Sequence, residues 1–274
     1  MTTLTPLGPD ETMYDDVTVR ENPQLENGRT YQAYKQGPYV LPNDQPEKER
    51  LDLQHNLLLA TFDGKLHCAP LVKPPARLLD SGCGTGIWSI EFAEEHPESK
   101  SHCIPPNVRF YVNDLEDDWT LTTQFDFIFS RFTTGSIRDF PRYFKQCYDA
   151  LAPGGTLELF EIGNEQPLNT ALKYKEKLAA TGFVDIFEVQ EKWSISTWAA
   201  DKKHKQLGAW ARENALQALS ALSLAIFTRP KSQNGLGWTV KELEWLLAEV
   251  RKEFRDLSIH GYWPIYLVYA KRPE

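Results

Sequence analysis

An α/β fold with a mainly parallel sheet and an inserted block of helices is what this sequence predicts, on three observations. From Arg77 onward, short apolar runs with strand spacing alternate with stretches of helical spacing, the pattern of a sheet whose strands are joined by crossover helices. Three glycines, Gly82, Gly84 and Gly86, fall where the first of these strands passes into a helix. Beyond about Ser196 the alternation stops and only helical patterns follow, until one last apolar run from Tyr262 to Lys271.

Taken in order, Met1 to Asn27 is rich in Thr, Pro, Asp and Glu without periodicity and reads as a flexible arm, partly disordered, ahead of a single domain over 28–274. Pro46 to Phe62 reads as an amphipathic helix, with Leu53, Leu57 and Ala60 on one face and Glu47, Arg50 and Gln54 on another. RLLDS (77–81) is the first core strand, followed by the glycine turn and a helix ending near Pro97. Asn107 to Asn113 and Phe125 to Ser130 are the next strands. A helix from Pro141 to Leu151 follows, with Phe144, Cys147, Tyr148 and Leu151 on one face. Pro153, Gly154 and Gly155 turn the chain into a strand at Thr156 to Ile162. A helix carrying Leu172 and Leu178 then leads to Gly182 and a strand over Phe183 to Val189. The helical cap, about 196–256, holds two or three helices, the last opened by Thr239 and Glu242 as a capping box. Because Tyr262 to Lys271 reads as a strand, the cap is an insertion between the last two strands.

Composition narrows the function classes. A hydrophobic fraction of 41% with 12% aromatic residues in 274 residues fits a folded chain with apolar pockets. A formal charge of −8 and pI near 5.4 argue against direct nucleic-acid binding, which needs clustered Lys and Arg to displace counterions. No apolar run has membrane-span length, and Met1 to Arg20 lacks a signal peptide's basic start and apolar centre, so a cytoplasmic or nuclear location is expected. Cys68, Cys83, Cys103 and Cys147 form no CxxC pair and the six histidines no HExxH, so no metal site is expected.

Asp80, Gly82, Gly84 and Gly86 give DxGxGxG between a strand and a helix, the context in which such a motif carries information. Glycine permits positive φ and close backbone approach, and the following helix turns free N–H groups toward a ligand. A nucleotide phosphate or an amino-acid carboxylate would suit such a site.

LLDSGCGTGIW resembles motif I of class I methyltransferases. With GRTYQAY, GPYVLPNDQPEKERLDLQH, PPNVRFYVNDLEDDW, FDFIFSRFTTGSIRDFPRYFKQCYDALAPGG and the late FTR and LGWT, the chain from about Arg29 onward is similar to the LaeA-like methyltransferases of filamentous fungi. The resemblance implies a Rossmann-like class I methyltransferase sheet and S-adenosylmethionine as cofactor. By the same resemblance, Asp80, Gly82 and Gly86 hold its methionine end, with Gly84 of the same turn also cofactor-binding, Asp114 and Leu115 meet the adenine, and Arg131 lies beside the sulfonium. Tyr39, Asn43, Arg50 and His55 would lie over the pocket from the N-terminal helix, and His55 or Glu161 would take the acceptor's proton. On residue pattern alone, Glu47 and Arg50 are also a surface i,i+3 pair and Asp114 a strand-end cap.

One departure stands out. The acidic residue that holds a ribose usually follows the glycine turn by about 20 positions, which here falls near Pro105. Gly86 to Asp114 has room for one helix, HPESKSHCIPP and one strand, where the resemblance implies two strands, so about one strand is missing. Either Asn107 to Asn113 slides into the vacant slot and brings Asp114 or Glu116 to the ribose, or the slot stays open or is patched by Ser99 to Cys103.

The leading reading is a methyltransferase acting on a small molecule of secondary metabolism. The alternatives keep the fold without methyl transfer. One is a cyclase or isomerase with Trp193, Trp198, Trp210 and Trp238 lining its cap. The other is a non-enzymatic regulator that binds partner proteins, as the resemblance implies with velvet-type proteins.

Overall fold

The computed structural model describes residues 2–4 by their backbone, and 24–32, 40–96, 108–163 and 173–274. Tyr39, Leu172, the segment Ser99 to Cys103 and most of the expected arm lie outside the described residues. The strands are β1 (Thr2–Leu4), β2 (Gln24–Glu26), β3 (Arg29–Tyr31), β4 (Leu78–Ser81), β5 (Val108–Phe110), β6 (Phe125–Arg131), β7 (Leu151–Ile162), β8 (Val184–Ser194) and β9 (Tyr262–Lys271). The helices are α1 (Gln45–Thr61), α2 (Ile87–Glu95), α3 (Phe140–Ala150), α4 (Tyr174–Thr181), α5 (Lys202–Thr228) and α6 (Val240–Arg255).

Seven strands form one sheet in the order β5-β1-β4-β6-β7-β9-β8. β4, β6 and β7 are parallel, and β9 runs antiparallel to β7 over Thr156↔Lys271 to Ile162↔Ile265, as expected for the closing strand. The sheet is therefore not one strand short, and neither expected treatment of the empty slot is correct. Val108–Phe110 stays at the outer edge, and β1 enters between it and β4. β1 pairs antiparallel with both neighbours, Thr2↔Asp80 to Leu4↔Leu78 on one side and Thr2↔Phe110 to Leu4↔Val108 on the other. The physical reason is the unpaired ladder that an open slot leaves on β4 and β5, which any extended segment can satisfy. An antiparallel entry requires no crossover helix, so a segment remote in sequence can supply it.

The chain divides into two compact units, one made of 1–15, 62–192 and 263–274, the other of 16–61 and 193–262. In the first, alternation along each strand sorts the core into two layers. Leu79, Ile128, Leu157 and Val268 pack with Phe144, Cys147 and Leu178 of α3 and α4. On the opposite side Trp88 of α2 stacks flat on Phe129, ring centroids 3.7 Å apart, and Phe92 packs beside it. Phe125 joins the α3 layer because the β6–β7 register shifts between Phe125 and Phe127. The glycines expected to turn the chain at 153–155 lie within β7 beside this irregularity, with Gly154 at φ +74°. Asp139 caps α3, accepting a hydrogen bond from the Arg142 N–H at 3.0 Å, and Pro141 sits in the first turn.

In the second unit α1 packs on α5 and α5 on α6, with Leu224, Leu243 and Leu247 as a small core. The expected capping box is present: Thr239 Oγ1 accepts from the Glu242 N–H at 3.2 Å and Glu242 accepts from the Thr239 N–H at 2.8 Å. Three of the four tryptophans assigned to a cap cavity are used in packing. Trp193 donates to Thr61 Oγ1 at 2.8 Å, Trp198 stacks on His260 and donates to the Gly261 carbonyl, and Trp238 meets Phe227 edge-on. Among the described residues no helix is long and apolar enough to cross a membrane.

Candidate functional site

The glycine turn lies at the carboxyl end of β4, where open α/β sheets hold their ligands. Gly82 and Gly86 both have φ of +80°, and Gly84 has φ of +58°. The Gly86 N–H donates to the Cys83 carbonyl at 2.9 Å, closing the turn, and the Gly86 carbonyl accepts from Ile90 as α2 begins. A Cβ at Gly86 would stand 2.4 Å from Cε1 of Phe110, so the Phe110 ring lies directly against the turn. At Gly82 a Cβ would meet Thr133 Cγ2 at 3.3 Å and Leu115 Cδ1 at 3.8 Å. Glycine is thus required here by backbone conformation and by closeness of neighbours together.

Asp80 is fully buried at the base of this turn. Its Oδ2 accepts from Ser89 Oγ at 2.6 Å, while Oδ1 is buried without a hydrogen-bond partner. Burial raises its pKa, and the charge of Arg131 and the Ser89 hydrogen bond work in the opposite direction. An orphaned buried carboxylate oxygen is costly, and it fits a site that receives a cationic donor from a ligand.

The loop after β6 forms the neighbouring wall. Phe132 takes a left-handed φ of +52°, and its N–H donates to the Phe160 carbonyl at 2.8 Å. Glu161, expected as a proton acceptor, anchors this loop instead: it accepts from Thr133 N and Oγ1 at 2.7 Å each, Thr134 N at 3.3 Å and Thr134 Oγ1 at 2.6 Å. Those four bonds occupy the acceptor sites of a carboxylate, and burial raises its pKa.

After β5, Asp114 closes a tight turn, its Oδ1 accepting from the Glu116 N–H at 3.0 Å. The Leu115 carbonyl accepts from Trp119 Nε1 and Gln146 Nε2, both at 3.3 Å, and Glu116 accepts from the Arg138 N–H at 2.7 Å. Leu115, Ile137 and Tyr143, with Glu116, Arg142 and Gln146, help to line a small pocket with room for about one water molecule. The candidates Asp80, Gly82, Gly84, Gly86, Asp114, Leu115 and Arg131 therefore belong to one unit. Of these, Leu115 approaches the turn itself, at Gly82.

Arg50 and His55 belong to the other unit, both buried on α1. Arg50 and Glu47 are not a surface pair. The guanidinium grips Glu47 through Nε and Nη2 at 2.9 and 2.7 Å and donates through Nη1 to Asn214 Oδ1 at 2.9 Å, with both side chains almost fully buried. Asn43 pairs with Thr30 through its N–H and its side chain.

Phe110 and Thr133 were not expected at the site. Only the alternation of NVRFYVN and the position of Thr133 after a strand end pointed toward them. Glu158 was also missed. It is fully buried in β7, accepts from the Cys68 N–H at 2.9 Å and the Ala69 N–H at 2.6 Å, and burial moves its carboxyl up to about 7. Trp88 fixes the same segment by donating to the Leu66 carbonyl at 2.7 Å.

Residues 53–224 match a family described as a methyltransferase domain. The chain is 31% identical to methyltransferase pytC of Aspergillus terreus, over 91% of this chain and 88% of that protein. It is 30% identical to the secondary metabolism regulator LAE1 of Cochliobolus heterostrophus, covering 94% and 97%. It is 28% identical to the protein-methionine methyltransferase laeA of Emericella nidulans, covering 95% and 79%.

Proposed function

Since the chain belongs to the methyltransferase-domain family, among its LaeA-like fungal members, we propose that it is an S-adenosylmethionine-dependent methyltransferase acting on a small molecule of secondary metabolism. The observation that carries this reading is the unpartnered oxygen of Asp80 beside a turn of three left-handed glycines. The amino group at the methionine end of the cofactor is the cationic donor that such an oxygen lacks. The bound cofactor supplies a methyl group on a positively charged sulfur, open to in-line attack.

The residues of this chain bind and position. The Gly82–Gly86 turn admits the donor's amino-acid end against backbone, and Asp80 orients its amino group. Leu115, 3.8 Å from the Cβ position of Gly82, is the apolar side chain beside the turn that would face the donor's heteroaromatic base. Rate would come chiefly from holding donor and acceptor at near-attack distance, because a sulfonium methyl needs little acid–base help.

A second reading, a methyltransferase-like regulator or cyclase that transfers no methyl group, is favoured by one observation. Thr2–Leu4 occupy the slot of the second strand and carry no carboxylate for a ribose. Calorimetric titration with S-adenosylhomocysteine, followed by methyl-labelled cofactor with a small-molecule extract and separately with a protein extract, tests both. Binding with label in the small-molecule fraction is the expected result. Binding without transfer to either fraction supports the second reading, label in protein alone overturns the small-molecule acceptor, and no binding at millimolar ligand overturns cofactor use.

A further inference from the structure

We propose that the segment Thr2–Leu4 is a positioning element of the cofactor site, holding β5 and the turn after it against the glycine turn. The inference rests on the reading of that turn as a cofactor site and assigns it a part from the far end of the sequence. β5 has one strand neighbour in the sheet, and that neighbour is β1. Among the described residues, β1 is the strand between β5 and β4. The three-residue ladder Thr2↔Phe110, Thr3↔Arg109 and Leu4↔Val108 is therefore what ties β5 to the body of the sheet.

β5 and the turn after it carry the residues that close the site from that side. The Phe110 ring lies where a Cβ on Gly86 would be, and Leu115 reaches to within 3.8 Å of the Cβ position of Gly82. A strand this short has few hydrogen bonds of its own, and opening of local elements with few bonds costs less than global unfolding. Loss of β1 would leave the β4 and β5 ladders unpaired on facing sides and release Phe110 and Leu115 together, while the β6–β7–β9 ladders stay intact. By linkage, a ligand that needs Phe110 and Leu115 in place must also hold Thr2–Leu4 in place.

The test is hydrogen exchange and calorimetry on the full chain, comparing wild type with Thr3→Pro and Thr3→Val. Proline at the centre of an internal strand removes a ladder N–H, whereas valine keeps it. Thr3→Pro is expected to lose protection at 78–81 and 108–110 while 156–162 and 265–271 keep theirs, and to weaken S-adenosylhomocysteine binding at least about tenfold, a difference of about 1.4 kcal/mol. Thr3→Val should match wild type in both. Unchanged exchange and affinity in Thr3→Pro would overturn the proposal. Should Thr3→Pro fail to fold, wild type in low denaturant decides. Concerted exchange of 2–4 and 108–110, slowed by added ligand, supports the proposal, and protection of 108–110 that outlasts that of 2–4 overturns it. A wild type that binds no ligand refutes the cofactor reading instead, and the exchange pattern still decides what β1 holds.

Discussion

Replacing Asp80 by Asn separates the two consequences of its environment. The carboxyl group is fully buried, one oxygen is bonded to Ser89 and the other has no partner, so the folded chain without ligand solvates the charged form poorly. Burial raises the Asp80 pKa, which means the folded state binds the proton more tightly than the unfolded state does. Stability attached to this group is greatest below the ordinary carboxylate pKa and is lost as pH rises through the raised value. Asn keeps an oxygen for Ser89 and removes the charge, so the change should cost less stability at pH 8 than at pH 5.

For the ligand the sign reverses. A hydrogen bond between a carboxylate and an ammonium contributes about 1.5–3 kcal/mol and one from a neutral amide about 0.5–1.5. The substitution should therefore weaken S-adenosylhomocysteine by about 1–2 kcal/mol, roughly fivefold to thirtyfold. Urea denaturation at the two pH values, with titration calorimetry at pH 8, measures both effects. Affinity equal to wild type, in a variant that folds normally, would refute the assignment of the free oxygen to the ligand's amino group.

Other substitutions test the surrounding framework. Asp114→Asn should weaken S-adenosylhomocysteine by about 1 kcal/mol or less, because β5 keeps the outer position and Asp114 closes its own turn; a loss of 1.5 kcal/mol or more by calorimetry would contradict this. Glu158→Gln keeps an acceptor for the Cys68 and Ala69 amides but cannot ionise. With a native pKa near 7 against an ordinary 4.5, wild type should lose up to about 3 kcal/mol relative to the variant as pH rises from about 4.5 to about 7, and parallel stability–pH curves would exclude it. Glu47→Ala leaves the Arg50 guanidinium buried with Asn214 alone and should destabilise the chain by about 3–5 kcal/mol in urea, whereas a surface pair would cost under about 1.

Most of the fold was legible because it is written in local patterns. The last strand appears as expected at Tyr262–Lys271, the capping box at Thr239 and Glu242 opens α6, and α1 differs from the expected helix by a single residue at each end. The glycine turn was legible for the same reason, since a strand, a left-handed turn and a helix are set by neighbours in sequence. Long-range partnerships were not. Glu161 and Asp80 are both strand-end acids, and nothing in TLELFEI or LLDSG distinguishes a carboxylate with four hydrogen bonds from one with a free oxygen. That difference is made by Thr133 and Thr134, which the sequence places far from Glu161. Likewise Arg50 and Glu47 fit an exposed helix face until Asn214, 164 positions away, supplies the third contact.

The second-strand slot shows the same limit at the level of topology. Crossover connections explain why a parallel strand with no helix to deliver it looked absent between Gly86 and Asp114. An antiparallel filler escapes that rule, and three residues of Thr-Thr-Leu at the other end of the chain carry no periodicity by which to be recognised. The consequence for the site is chemical. A parallel second strand would end beside the glycine turn and could present an acidic residue there, whereas β1 runs the other way and places Thr2 opposite Asp80. The glycine turn thus has a buried carboxylate oxygen without a hydrogen-bond partner, and the strand beside it is Thr2–Leu4, which has no acidic residue in its sequence. On the proposed reading, binding would rest on Asp80, the glycine turn and the apolar contact at Leu115, and so on the order of β5 and of β1 beside it.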